Sequence, residues 1–209
     1  MLLPLFPLQL VVFPGEELKL HIFEPRYQDL INECRESGSP FGIPAYVDDE
    51  LAKFGTELTL EKTFKTYPEG EMDVLTLGRR VFRLTSFVRE VPGKLYAGGE
   101  IEVIENAEEE FGITVEELDH QYALFHEWLG TGQVLPTGNT ANLSFRIGHE
   151  IGLTLKQKVT LLSMEKESDR QLMILDHLNR VNKTLRATDE TKRRVRANGH
   201  FTKPPKLDF

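Results

Sequence analysis

The chain has 209 residues, 40% of them hydrophobic and 28% charged, with a formal net charge of −8 and a single cysteine, Cys34. These proportions exclude global disorder and fit one large domain or two small ones; a lone cysteine excludes an internal disulfide and fits a reducing compartment. Nine acidic residues and no Lys or Arg lie between Ala97 and Asp119, and such an acidic body repels phosphate backbones.

The opening stretch is apolar, yet its first basic residue is Lys19, and Pro4, Pro7 and Pro14 interrupt any continuous apolar helix. That pattern is not a secretory signal. No segment offers about 18 uninterrupted apolar residues, so no membrane partner is expected, and the protein is read as soluble, unprocessed and cytoplasmic. Residues 8–13, "LQLVVF", read as a strand closed by the turn pair Pro14-Gly15. "ELKLHIF" at 17–23 alternates Leu18, Leu20 and Ile22 against Glu17, Lys19 and His21, the period of a half-buried strand. The prolines then mark strand ends. Glu24 sits at an N-cap and Pro25 at the first helical position, where its missing N–H is harmless. Tyr27, Leu30, Ile31 and Cys34 follow at helical spacing, and Gly38 supplies the stop.

Five further strands are expected at 41–47, 56–67, 71–78, 79–91 and 95–105, short and separated by Gly, Pro or acidic turns. That rhythm points to a closed or strongly curved sheet. After Phe111 the period changes. Val115, Leu118, Tyr122, Phe125 and Leu129 predict a helix that ends in the loop "GTGQVLPTGN"; Leu143, Ile147 and Ile151 predict a second. Thr154 caps a third, and Leu172, Leu175, Leu178, Val181 and Leu185 recur along a long fourth that begins at Ser168. Four helices in succession imply a small bundle. The expected organisation is a strand-rich subdomain over 1–112, a helical bundle over 113–198 and a flexible tail over 199–209.

Signs of catalysis are few. The only Gly-Lys pair, Gly93-Lys94, is followed by Leu95, so there is no phosphate-cradling P-loop, and no GxSxG nucleophile elbow occurs. His126-Glu127 and His149-Glu150 each lack the second His of a zinc helix, so no metal and no cofactor are expected. Cys34 lies between Glu33 and Arg35, with Glu36 close by. Those carboxylates disfavour a thiolate, and Cys34 is read as packing on the apolar side of its helix. Thirteen Phe are many for a small barrel interior. Phe6, Phe13, Phe23, Phe41, Phe54, Phe64 and Tyr67 are candidates to line an apolar groove for an extended chain, against the plain alternative that each is core. From Arg186 to Lys206 seven basic residues face only Asp189 and Glu190. "KRRVR" at 192–196 reads as a solvated helix end, with a nucleic-acid arm as the rival.

"PLFPLQLVVFPGEELKLHIFEPRYQDLI" resembles the opening of the LON substrate-binding domain, found at the N-terminus of ATP-dependent Lon proteases and in free-standing bacterial proteins. "FGTELTLEKTF" resembles that family's Gly-Thr strand entry, and "LTLGRRVFRLTSF" its Gly-Xaa-Xaa-Xaa-Phe-Arg strand pair. "GLTLKQKVTLLSMEKESDRQLMIL" resembles the helical part that follows. The resemblance spans nearly the whole chain. It implies an α+β fold: a PUA-like, curved six-stranded sheet or pseudo-barrel with an inserted helix, followed by a C-terminal helical bundle. Neither Lon's AAA+ module nor its Ser-Lys protease domain is recognisable, so the expectation is a non-catalytic module, whatever peptidase S16 wording the family carries. It would bind unfolded or exposed apolar protein segments in quality control, with a protease or chaperone as a further partner. Peptide-contact candidates are Phe6, Phe13, Phe41, Phe54, Tyr67 and Phe82, with Glu24 and Arg26 at the rim. The alternative is an RNA-binding module, because PUA-like folds often bind RNA; the acidic body argues against it.

Overall fold

Six strands form a closed sheet in the computed structural model, which describes residues 2–105, 107, 115–136 and 142–198. The strands β1 (Leu2–Leu5), β2 (Glu17–Ile22), β3 (Phe41–Val47), β4 (Glu50–Thr66), β5 (Met72–Val88) and β6 (Ala97–Ile104) lie in the order β2-β5-β4-β3-β1-β6. A further β5–β6 pairing closes the ring and leaves β2 outside it. Helix α1 (Pro25–Ser37) is inserted between β2 and β3. Only the β1–β3 pairing is parallel among the strand pairs described. The α+β curved sheet with an inserted helix is therefore present.

The expected turn is present too. Pro14 precedes Gly15, whose φ is 85°, and Glu16 N–H donates to Phe13 O at 3.1 Å. Proline second and a positive-φ glycine third is the type II pattern. Helix α1 begins at Pro25 as expected and ends at Gly38, whose N–H donates to Cys34 O at 2.9 Å. It buries Tyr27, Leu30, Ile31 and Cys34 against a core that includes Ile22, Phe41, Ile43, Leu58, Met72 and Val74. Burial of each large apolar side chain contributes roughly 1.5–3 kcal/mol.

Three expectations differ from what is seen. Residues 8–13 are not a strand; one parallel bridge, Leu8 to Ala45, is all their sheet pairing. Val11, Val12 and Phe13 are buried, and side chains take up part of their backbone: Glu16 Oε2 accepts from Phe13 N–H at 2.8 Å, and Thr56 Oγ1 donates to Val12 O. The apolar run there signals burial, not pairing. The N-terminal strand lies earlier, at Leu2–Leu5, and contains Pro4. Pairing with β3 begins only at Leu5↔Gly42, so no ladder on that side calls on an N–H at Pro4. Finally, 71–78 and 79–91 are one strand. Gly78 is no break in β5: a Cβ there would collide with the Phe13 carbonyl, so glycine admits that close approach.

Helices α2 (Val115–Leu129), α3 (Leu143–Ile147), α4 (Leu155–Ser163) and α5 (Glu167–Asn198) follow. Thr154 caps α4 reciprocally with Gln157, a capping box. The chain groups into two units, Met1–Ile113 with Thr137–Met173, and Thr114–Pro136 with Ile174–Phe209. The segment 1–112 falls in the first unit, whereas 113–198, read as one bundle, is shared between the two. The 199–209 tail lies outside the described residues. In the first unit Phe145 of α3 stacks on Phe13 with centroids 5.3 Å apart. In the second, Asn182 of α5 donates to Gln121 O of α2 at 2.9 Å. Among the described residues no helix is long and apolar enough to cross a membrane.

Candidate functional site

The six peptide-contact candidates do not share a surface. Phe6, Phe13, Phe41 and Phe82 are 6%, 1%, 0% and 0% exposed, so they fill the interior instead of lining an open groove. Phe6 stacks on Tyr27 at 3.8 Å, and Phe82 packs with Leu3 and Leu5 in a second small core. Phe54 is half-buried on β4, opposite Arg83 of β5. Tyr67, also half-buried, donates its hydroxyl to Asp73 at 2.9 Å. Phe23 and Phe64, also named above as groove candidates, are exposed, at 59% and 49%.

The rim candidates do come together. Glu24 and Arg26 line a cleft of about 520 Å³ with Pro7, Leu8, Tyr27, Tyr46, Phe87, Arg89, Glu90, Leu95 and Ala97. The strand-to-helix junction at Phe23–Pro25 brings Glu24 to one wall; Phe87 of β5, Ala97 of β6, and Arg89 and Leu95 of the connection between them supply another. Tyr46, Phe87 and Leu95 leave much apolar surface in water, 37%, 39% and 59% exposed. Arg26 Nε donates to Glu24 Oε2 at 2.9 Å, and its guanidinium sits 4.9 Å from the Tyr27 ring. The bond to Glu24 raises the Arg26 pKa further, while burial pushes the Tyr27 phenol up. Among the cleft's lining residues there is no Ser, Thr, Cys, His or Lys. What it offers is apolar surface between arginine and glutamate side chains.

Tyr46, Phe87 and Leu95 were missed by sequence reasoning. A register shift in the β5–β6 pairing between Leu84 and Ser86 breaks the alternation along β5, so Phe87, opposite Gly99, shares the face of Phe82, opposite Val103, yet sits near the strand end where it stays exposed. Leu95 lies between the turn at 92–93 and β6, where no periodicity speaks for it.

The other chemical candidates are structural. Cys34 is buried, and desolvation, with Glu33 adding, pushes its thiol up to about 11, away from nucleophilic use. Glu33 accepts from Lys94 Nζ at 2.6 Å and from Tyr96 Oη, and these bonds hold its carboxyl below the usual range. His126 is buried with Nδ1 at 2.7 Å from Thr131 Oγ1, and His149 lies between Glu16 and Lys158. Among the described residues no three His, Cys, Asp or Glu side chains group as metal ligands.

Comparison with known proteins gives a consistent set of relatives. A family model described as "ATP-dependent protease La (LON) substrate-binding domain" matches residues 2–180. The Lon protease of Flavobacterium johnsoniae is 25% identical over 214 residues, covering 93% of this chain but 26% of that protein. Among solved structures, the Lon N-terminal domain protein from Xanthomonas campestris aligns with a TM-score of 0.66 and 27% identity, covering 84% of this chain and 98% of its own. The N-terminal domain of Mycobacterium avium complex Lon protease aligns with a TM-score of 0.65 at 15% identity, covering 86% and 98%, a likeness of fold.

Proposed function

Since the chain belongs to the LON substrate-binding domain family, we propose that it is a non-catalytic module that binds unfolded or exposed apolar segments of other proteins. Its role is protein quality control in the cytoplasm, where it holds such segments for a protease or chaperone. One observation carries this reading: the cleft beside Glu24 and Arg26 exposes Tyr46, Phe87 and Leu95 in a concave, charge-rimmed setting. Apolar side chains of a client displace water from those three, contributing about 25 cal/mol per Å² buried before the cost of ordering the segment is met. The charged rim tolerates the polar residues between them.

Fluorescence anisotropy with labelled, unfolded casein fragments tests this. Binding is expected without hydrolysis of ATP or of the fragments, and Phe87→Ser with Leu95→Asp should weaken it by about tenfold or more. Unchanged affinity in a double variant with the wild-type melting temperature would remove the cleft from the reading. Peptide hydrolysis that survives stringent purification would end the non-catalytic reading.

A further inference from the structure

Strand β2 is the one member of the sheet outside the closed ring, and among the described residues β5 is its only strand partner. The phase of that pairing is set at its start, where Gly78 N–H donates to Glu16 O at 2.9 Å. In an antiparallel ladder, bonded and non-bonded pairs alternate. Leu18, Leu20 and Ile22, opposite Thr76, Val74 and Met72, therefore turn their backbone groups toward β5. The N–H and C=O groups of Glu17, Lys19 and His21 point the other way, and no backbone hydrogen bond from outside the ladder reaches them among the described residues. Their side chains are exposed, while Leu18 and Leu20 are half-buried against the core. Lys19 also sits 5.9 Å from the exposed Phe64 ring, with Lys62 at 5.2 Å on the same ring.

An open row of donors and acceptors fits another strand. Here we propose that the free edge of β2 takes up an extended segment of a client polypeptide as an added antiparallel strand. Apolar residues of the client lie beside Leu18 and Leu20, and an acidic residue lies opposite Lys19. The proposal rests on the polypeptide-binding reading above and adds the form in which the segment is held. The charge favours this occupant over a second copy of the chain: symmetric pairing of two β2 edges over five residues sets Lys19 against Lys19 or against His21, with no carboxylate opposite it, whereas a client residue can supply one. The client class is thus a segment of period-two hydrophobicity with a central Asp or Glu.

The test uses the full chain and labelled peptides of about eight residues. One alternates apolar and polar residues around a central Glu. A second has the same composition with its apolar residues contiguous, and a third is the first N-methylated on one edge. The alternating peptide should bind about tenfold more tightly than either control, the loss expected for roughly two hydrogen bonds. Lys19→Glu should reverse the preference between Glu-centred and Lys-centred peptides, by about twofold to fivefold each way. Lys19→Pro should block binding while leaving the β5 ladder intact, since it removes an outward N–H; the charge reversal serves alone if that variant does not fold. Equal binding of all three peptides, or an unchanged order in Lys19→Glu, overturns the proposal. Binding lost in Phe87→Ser with Leu95→Asp but unaltered at Lys19 overturns it and leaves the polypeptide reading standing; failure of every peptide and casein fragment sinks both. A concentration-dependent dimer that Lys19→Pro abolishes would assign the edge to a second copy.

Discussion

Arg170 is the most deeply buried charge in the described part of the chain, 1% exposed, and every contact it makes has a partner suited to it. Its guanidinium donates to Ser144 Oγ at 3.0 Å, to Glu167 Oε2 at 2.9 Å and to Met164 O at 2.7 Å, and lies 4.4 Å from the Phe145 ring. One side chain thereby ties α3 and the α4–α5 connection to the first turn of α5. Arg170→Ala leaves the partly buried Glu167 carboxylate, to which Ser144 and Gln171 still donate, without its counter-charge and takes a donor from the Met164 carbonyl, so a loss of about 3–5 kcal/mol is expected in urea unfolding. Arg170→Lys keeps the charge but not the planar fork, and should fall between alanine and wild type. A loss below about 1 kcal/mol for alanine would mean that the cluster behaves like a surface ion pair. Nothing in the sequence distinguishes Arg170 from its exposed neighbours, because a partner set drawn from residues 144, 164 and 167 exists only after the helices pack. Four of the aromatic candidates, Phe6, Phe13, Phe41 and Phe82, turn out to be core, and the sequence hid that for the same reason. Phe is a frequent core residue and a frequent contact residue, and the bulge between Leu84 and Ser86, which decides where Phe87 sits relative to Phe82, has no signature in the sequence.

Elements with local grammar were legible. Helix α1 was readable from Pro25, Gly38 and the spacing of its buried face, β2 from its alternation, and α4 from Thr154. Those without it were not: β1 has four residues and a proline, and 8–13 shows the same apolar run whether paired or merely buried. The Pro14-Gly15 turn allows a clean check at this scale. An added Cβ at Gly15 meets nothing within 4 Å, so its φ of 85° is the whole objection to substitution. Gly15→Val should lower stability by about 1–3 kcal/mol, the cost of a β-branched residue held at positive φ. A melting temperature equal to wild type would show that the turn relaxes to another conformation.

At the scale of the molecule, the barrel and the 137–173 segment behave as one unit in the contact pattern. Cutting at 112 removes Phe145 from Phe13, which is 1% exposed in the intact chain. A fragment of residues 1–112 should therefore melt about 10 °C or more below the full chain, taking a few kcal/mol for the bared aromatic surface. If it melts within a few degrees of the full chain, the strand-rich segment is a self-sufficient domain and its helical companions are accessories. The position of β1 carries a different consequence, one of timing. Leu2–Leu5 sits between β3 and β6, and its antiparallel partner Ala97–Ile104 is far along the chain. A ribosome adding roughly 5–20 residues per second needs several seconds to deliver that partner. Throughout that interval the nascent chain holds two leucines, Leu3 and Leu5, that end fully enclosed but have no finished enclosure to enter. During its own birth the protein thus displays the kind of apolar strand that it is proposed to capture in others.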